Sequence, residues 1–406
     1  MMPRHVAQHL SVLNSGMPSP IAGVEALPLR VASRGEDLDG SNDTVVVRIT
    51  DDAGRVGIGE ADSPAQAVAA LVLRDDAHGW SRGLTGLLVG RDPVEVGARW
   101  DELAAATFYD GNAGVARHAL AAVDIALHDL AGKQLGRPAH ALLGGARRER
   151  LSVYATLYRA AAGHASANAL HAELEALIGQ AVQDGYRALK YEAVFPGAVS
   201  DREVVELILR ARAAAGEEVE LLVDFGYRWR HWRDALWTLN RLEPARLWLA
   251  EATLPDGDLD SHAKLAARAE TRIGGAELAS TLAECRAWLE HGHVDVLQPD
   301  VARCGGLTEM RRVADLAALH GAAVVPHNWK TGINAAAARH LHTAALAVPM
   351  IEVLPPTLFD SPLRRDLVRP EPALADGTLP LPDAPGLGVE LVDEVVDRYR
   401  WGAGIP

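Results

Sequence analysis

Six short apolar runs in this chain end, one after another, in a carboxylate or a histidine. They are RALKYE closing on Glu192, ELLVD on Asp224, LWLAE on Glu251, RIGGAE on Glu277, VDVLQPD on Asp300 and AAVVPH on His327. The runs are mostly Val, Leu, Ile and Ala, and an amphipathic, alanine-rich stretch follows most of them. Strand and helix alternating in this way is the written form of a parallel β/α barrel, which gathers the strand ends around one mouth. A carboxylate at a buried strand end is hard to explain as packing. Repeated along the chain, it marks a site.

Eight such strands can be counted: LSVYATL, RALKYEA, VELLVDF, RLWLAE, RIGGAE, VDVLQPD, AAVVPH and PMIEVL. After the eighth no comparable helix follows. A proline-rich tail begins instead, read as returning to the first domain. Before the barrel the grammar differs. VEALPLRVA, TVVVRITDD and GRVGIGEA read as strands, with Asp52-Ala53-Gly54 as a hairpin turn. Three helices are expected around Pro64–Leu73, Pro93–Ala106 and GVARHALAAVDIALHDLAGKQLG, the last from apolar residues at helical spacing. The fold class is therefore α/β, a modified TIM barrel (β/α)7β with an N-terminal α+β capping domain completed by the C-terminal segment. The expected divisions are a disordered lead-in at 1–22, the cap at 23–148, the barrel at 149–355 and the returning segment at 356–406. The loop Ser33–Asp43 is longer than its hairpin needs and is a lid candidate.

A length of 406 residues suits a barrel plus a smaller domain, and 49% hydrophobic with 23% charged residues is a globular composition. A net charge of −14 argues against general nucleic-acid binding. The two cysteines, Cys285 and Cys304, have neither metal nor disulfide spacing, and no run reaches a membrane span, so a cytoplasmic protein is expected.

Asp224, Glu251 and Glu277 end consecutive strands, 27 and 26 residues apart. Neighbouring strands lie about 4.8 Å apart, so these carboxylates converge, and their mutual repulsion is relieved by a hard divalent cation. All-oxygen ligation favours Mg²⁺, with Mn²⁺ as an alternative. Ordinary ion pairs with Lys or Arg would be the plain reading of any one of them. Asp300 and His327 end the next two strands, where a carboxylate would fix the imidazole tautomer and raise its pKa, making an acid/base pair. Lys190 and Glu192 are two apart on one strand and share the inward face, with Tyr191 outward. Lys190 is a candidate oxyanion contact, or a base if its pKa is lowered; a core salt bridge is the bland alternative. Glu192 is read equally as chemical or structural. Glu352 is a candidate protonated donor to a substrate carboxylate, or merely a cap for its strand end. Arg228 and Lys330, in loops after strand ends, are candidate anion contacts, with plain surface solvation the equal alternative. Arg34 in the lid loop and Tyr109 in the Phe108–Asp110 segment are candidate contacts for the distal end of a substrate.

The cap, the barrel and the series KxE, D, E, E, D…H, E resemble the mandelate racemase-like branch of the enolase superfamily, over roughly residues 24–395. The most specific pieces are GVARHALAAVDIALHDLAGKQLGRPAHALLGG, VDVLQPDVARCGGLTE and VVPHNWKTGI. The resemblance implies Mg²⁺ on Asp224, Glu251 and Glu277, an acid/base dyad of His327 with Asp300, and Glu352 near the substrate carboxylate. Two positions depart from the family pattern. Glu192 stands where a second lysine is common, and Glu251-Ala252-Thr253 replaces a common Glu-Glu-Pro.

The resemblance further implies proton abstraction beside a carboxylate. With Glu192 in place of the second lysine, dehydration of an acid sugar to a 2-keto-3-deoxy acid is the expected reaction, by a homo-oligomer acting on a small-molecule acid. A racemase, epimerase or cycloisomerase is the alternative enzyme, and a catalytically silent barrel kept as a binding protein is the remote one.

Overall fold

The computed structural model describes residues 19–31, 40–359 and 361–402; the lead-in expected at 1–22 lies mostly outside them, as do Arg34 and most of the lid candidate. The cap opens with an antiparallel sheet of β1 (Ile21–Arg30), β2 (Asp43–Asp51) and β3 (Val56–Ala61) in that order. Its turn is the expected one: Gly54 has φ +81°, and the Asp51 carboxylate accepts from the Ala53 and Arg55 amides.

Three main helices follow, at Ala65–Leu73, Val96–Ala106 and Val115–Leu135. The last is buried almost all round, because one side lies on the cap sheet and another against the barrel helix Gly306–Leu319. Its approach to β3 leaves no room for side chains. A Cβ at Gly57 or Gly59 would collide with the carbonyls of Ala126 or Ala122.

The barrel strands are β4 (Arg150–Leu157), β5 (Ala188–Glu192), β6 (Glu220–Asp224), β7 (Leu247–Glu251), β8 (Gly274–Gly275), β9 (Val296–Leu297), β10 (Ala323–Val324) and β11 (Ile351–Val353). They pair in parallel in the order β11-β4-β5-β6-β7, and β8-β9-β10 continue the round through the Ala250–Ile273 bridge. Period-2 alternation sorts the residues. Tyr154, Ala188, Leu222, Leu249, Val296 and Val325 form a separate cluster, one from each of six strands or strand extensions, while Leu189, Tyr191, Leu221, Val223 and Ala250 belong to the large shell under the helices. Two residues beyond the interior apolar position of β4, β6 and β7 stand Thr156, Asp224 and Glu251; on β5, Lys190 and Glu192 follow Ala188. The barrel interior is thus greasy below and polar at the top.

Helix starts follow local chemistry. Ser200 and Glu203 form a reciprocal capping box on Asp201–Ala215, and Thr281 and Thr331 cap the helices that follow β8 and β10. The helix that follows β11, Pro362–Asp366, is only five residues long. The tail then runs back along the molecule. β13 (Thr378–Pro380) pairs antiparallel with β4, β12 (Val368–Arg369) pairs with β14 (Glu390–Leu391), and the Trp401 amide donates to the Pro28 carbonyl on β1 at 2.8 Å.

The ladders of β8, β9 and β10 are shorter than the apolar runs that encode them. Glu277, Asp300 and His327 lie two to three residues past the last paired residue. Pro299 and Pro326 lack the N–H that a longer ladder needs, and Ala276 adopts φ +78°.

Candidate active site

Register brings three carboxylates side by side: Glu192 pairs with Asp224, and Asp224 with Glu251. Asp224, Glu251 and Glu277 each offer an oxygen, and these oxygens lie within 4.8 Å of one another. Each is aimed by a neighbour. The Gly226 amide donates to Asp224 at 2.8 Å, the Gln298 amide to Glu251 at 2.6 Å, and the Tyr227 hydroxyl to Glu277. Burial raises the Asp224 pKa, with Lys190 opposing and Glu277 adding to the rise. Burial likewise carries Glu251 to about 8, against Lys190 and with help from Asp224. Buried carboxylates that repel one another form a donor set of hard oxygens suited to a divalent cation.

Lys190 is buried beneath this triad. Its ammonium lies 2.9 Å from Glu251 and 2.8 Å from Glu352, with Glu192 at 3.8 Å and Asp224 at 3.9 Å. Burial alone would lower its pKa, but Glu251 and Glu352 outweigh that and hold it well above the usual lysine range. Of the alternatives for Lys190, this favours the core salt bridge over a base with lowered pKa. Glu192 is buried at the mouth, its pKa raised by burial and by Asp224.

Glu352 accepts from Lys190, from the Thr156 hydroxyl and from the Asn328 amide at 2.8 Å. Burial would raise its pKa, yet Lys190 and His327 bring it below the usual value. Of its two readings, protonated donor and strand-end cap, an ionised carboxylate with its oxygens already engaged favours the second.

Across the mouth, His327 Nδ1 lies 2.7 Å from Asp300 Oδ2. The other Asp300 oxygen accepts from the Ala302 amide at 2.7 Å and from Asn334 Nδ2 at 2.9 Å, so the carboxylate is fixed in orientation. Burial would lower the His327 pKa, but the hydrogen bond and charge of Asp300 raise it to about 10. With Nδ1–H given to Asp300, Nε2 is the nitrogen left for chemistry.

The four proposed substrate contacts fare differently. The Arg228 guanidinium is spent on Asp201 at 2.9 Å and on the Val199 carbonyl, off the flank of its loop. The Tyr109 ring is exposed and packs edge-on to His78, with Trp80 beside it, both residues of the cap. Lys330 is buried, and its ammonium goes to the Gly40 and Asp43 carbonyls and to the Asp43 and Asp62 carboxylates. It is therefore an anchor for the cap rather than an anion contact. Arg34 lies outside the described residues. A surface cleft of about 680 Å³, lined by Trp80, Leu87, Phe108 and Arg117 among others, contains none of the strand-end residues.

Sequence reading missed Asp62. One of its oxygens lies within 4.8 Å of ligand atoms of both Asp300 and His327. The signal was present, since GRVGIGEAD is one more apolar run closing on acids, but it belongs to the cap. Gln298 and Tyr227, which aim two of the triad carboxylates, lacked any signal of their own.

Residues 25–144 match the mandelate racemase / muconate lactonizing enzyme N-terminal domain, and residues 173–395 match the enolase C-terminal domain-like family. The chain belongs to the enolase superfamily, in its mandelate racemase-like branch. It is 32% identical over 364 residues to D-galactarolactone cycloisomerase of Agrobacterium fabrum, covering 88% of this chain and 91% of that protein. It is 31% identical over 317 residues to arabinonate dehydratase of Saccharolobus solfataricus, covering 78% and 81%. Dehydratases of other sugar acids match as well. A solved racemase from Streptomyces coelicolor A3(2) with bound magnesium superposes with a TM-score of 0.79 at 25% identity, over 94% of this chain and 100% of that one.

Proposed function

We propose that this enzyme is a Mg²⁺-dependent dehydratase of an acid sugar, cytoplasmic and homo-oligomeric. The observation that carries the reading is one acid/base imidazole at the mouth, His327 on Asp300, facing a strand whose lysine is locked between Glu251 and Glu352. One dyad suffices for dehydration, whereas racemisation asks for a base on each face.

Asp224, Glu251 and Glu277 would hold the cation, which when bound supplies positive charge where the substrate carboxylate gains electron density. His327 Nε2 takes the α-proton, and the C–H electron pair passes into the substrate carboxylate. Asp300 keeps the imidazole in register and balances the charge it acquires. The same Nε2–H then protonates the β-hydroxyl, the C–O bond breaks, and water leaves. The resulting enol tautomerises to the 2-keto-3-deoxy acid. Lys190 keeps Glu352 ionised and holds it in line with Glu251.

A second reading, a cycloisomerase or racemase, is favoured by Glu192. It stands in register with Asp224, where a second group on the opposite face would be needed. The test is a screen of mono- and diacid sugars with Mg²⁺, followed by semicarbazide detection of 2-keto acid. Keto-acid formation that disappears in His327→Asn supports dehydration. A blank screen with α-proton exchange in D₂O moves the assignment to the second reading.

A further inference from the structure

The end of the cap strand β3 is bonded to both barrel loops that carry the dyad. Asp62 holds the loop after β9 through its main chain: its amide donates to the Ala302 carbonyl at 3.2 Å, and its carbonyl accepts from Arg303 at 2.9 Å. Ala302 and Arg303 are two and three residues past Asp300. The Asp62 carboxylate holds the loop after β10 through Lys330 at 3.3 Å, three residues past His327. Two residues earlier on the strand, the Glu60 carboxylate accepts from the Thr331 hydroxyl at 2.9 Å and from the Asn334 amide at 3.1 Å. Asn334 is the residue that donates to Asp300. Arg303, at 3.6 Å from the Asp62 carboxylate, completes its charged surroundings.

We propose that Asp62 is a positioning residue for the His327–Asp300 dyad, acting through Lys330 and through the loop of Ala302 and Arg303. This rests on the reading of His327 as the acid/base group. The physical case is one of constraint. Asp300 and His327 lie past the ends of two-residue ladders, so their strands do not fix them. Lys330 is buried, and its partners among the described residues, Gly40, Asp43 and Asp62, all belong to the cap. What the short ladders leave loose, the cap strand holds. A functional imidazole needs such support to stay within a few tenths of an ångström of its working position.

Asp62→Asn is nearly isosteric and keeps both main-chain ties to the barrel, while weakening the link to Lys330. On the acid sugar that the screen identifies, kcat should fall about 10- to 100-fold, the range typical when outer partners of a site are removed, with KM changed less than about 3-fold. Lys330→Met should show the same split, and the double variant should be no worse than the worse single one, because both act along one path. A readout free of turnover comes from ¹⁵N-histidine-labelled holoenzyme. The Nδ1 proton shared with Asp300 should exchange with solvent about tenfold faster in Asp62→Asn than in the parent. Lys330→Met carries the same measurements if Asp62→Asn fails to fold.

Unchanged kcat and proton exchange in both variants overturns the proposal. So does an effect confined to KM, which would make Asp62 a substrate contact, or full additivity, which would separate the two residues. His327→Asn, measured alongside, distinguishes the two layers. If it is inactive while Asp62→Asn is normal, only the positioning role fails; if it is fully active, the dyad reading and this inference fail together.

Discussion

The groups that aim Asp224, Glu251 and Glu277 belong to the barrel, whereas the loops that follow Asp300 and His327 are tied to a second domain. On the first side, Asp224 and Glu251 are in ladder register, and the aiming groups Gly226, Tyr227 and Gln298 come from the same or nearby barrel strands. On the other, the supporting groups Glu60, Asp62, Gly40 and Asp43 come from the cap, more than 230 residues away in sequence. The difference teaches how the labour is divided. A set of fixed charges needs only a rigid sheet. A group that must gain and lose a proton at one atom sits where two bodies meet, and the docking of those bodies fixes its position.

The largest effects are expected on the barrel side. Asp224→Asn or Glu251→Gln removes one of three clustered carboxylates and should lower kcat/KM by about 10³-fold or more. The fold should remain, because each substitution also relieves repulsion among buried carboxylates. Activity assayed against added Mg²⁺, with calorimetry of Mg²⁺ binding, checks this; undiminished Mg²⁺ affinity in both variants would remove the triad from its role. Next comes the dyad. His327→Asn should cost about 10²- to 10⁴-fold in kcat, the usual share of a general acid/base group, while leaving Mg²⁺ affinity intact. Loss of metal binding in His327→Asn would break the separation of the two sides.

Acidity offers a third probe of the same contrast. The His327 pKa, depressed by burial but raised by Asp300 by a larger amount, stands at about 10, against an ordinary value of 6.5. A group whose folded pKa is raised adds stability that is complete below the unfolded value and is lost as pH climbs through the folded one. The His327–Asp300 pair should therefore stabilise the fold fully below about pH 6.5 and progressively less up to about pH 10. Melting temperatures of the parent and of His327→Asn should converge across that window. Because the base form of Nε2 is the reactive one, kcat/KM should rise with pH on the alkaline side of neutrality, about tenfold per unit while the imidazolium predominates. A parallel pair of melting curves would mean that the pair is neutral.

The barrel side was the legible one. An apolar run ending in an acid is a local pattern, and strand adjacency turns local patterns into a cluster without further information, so Asp224, Glu251, Glu277, Asp300 and His327 could be read from the sequence. Lys330 and Asp62 could not be assigned that way, because their partners are set by how the cap docks. A lysine three residues after a strand-end histidine looks the same whether it faces a ligand or a carbonyl of another domain. For Lys190 and Glu352 the sequence could not choose between a titrating and a structural role; the structure places the two side chains 2.8 Å apart. Which carboxylates surround an ammonium, and at what distance, depends on rotamers inside the barrel that periodicity does not describe.

The smallest expected effect concerns backbone strain, which is also unevenly shared. Tyr227, Ala252 and Ala276 adopt positive φ, of 57°, 46° and 78°, and they neighbour the triad in sequence; between Val296 and Thr331 the described residues with positive φ are all glycines. A left-handed alanine costs about 1–2 kcal/mol, and such strain persists where the surroundings dictate it. Ala276 immediately precedes Glu277, so its unusual φ sets where that carboxylate leaves the chain. Ala276→Gly would relieve the strain but add about 0.4–1 kcal/mol of unfolded-state entropy, for a net stabilisation of about 0–1.6 kcal/mol. The melting temperature should rise slightly or stay level. With the backbone free to choose other φ values, Mg²⁺ affinity should weaken by a few-fold, about 1 kcal/mol or less. Calorimetry on the variant reads both quantities. Weaker Mg²⁺ binding without a loss of stability would show that the strain serves the triad; unchanged binding with a lower melting temperature would show that Ala276 is held there by packing alone.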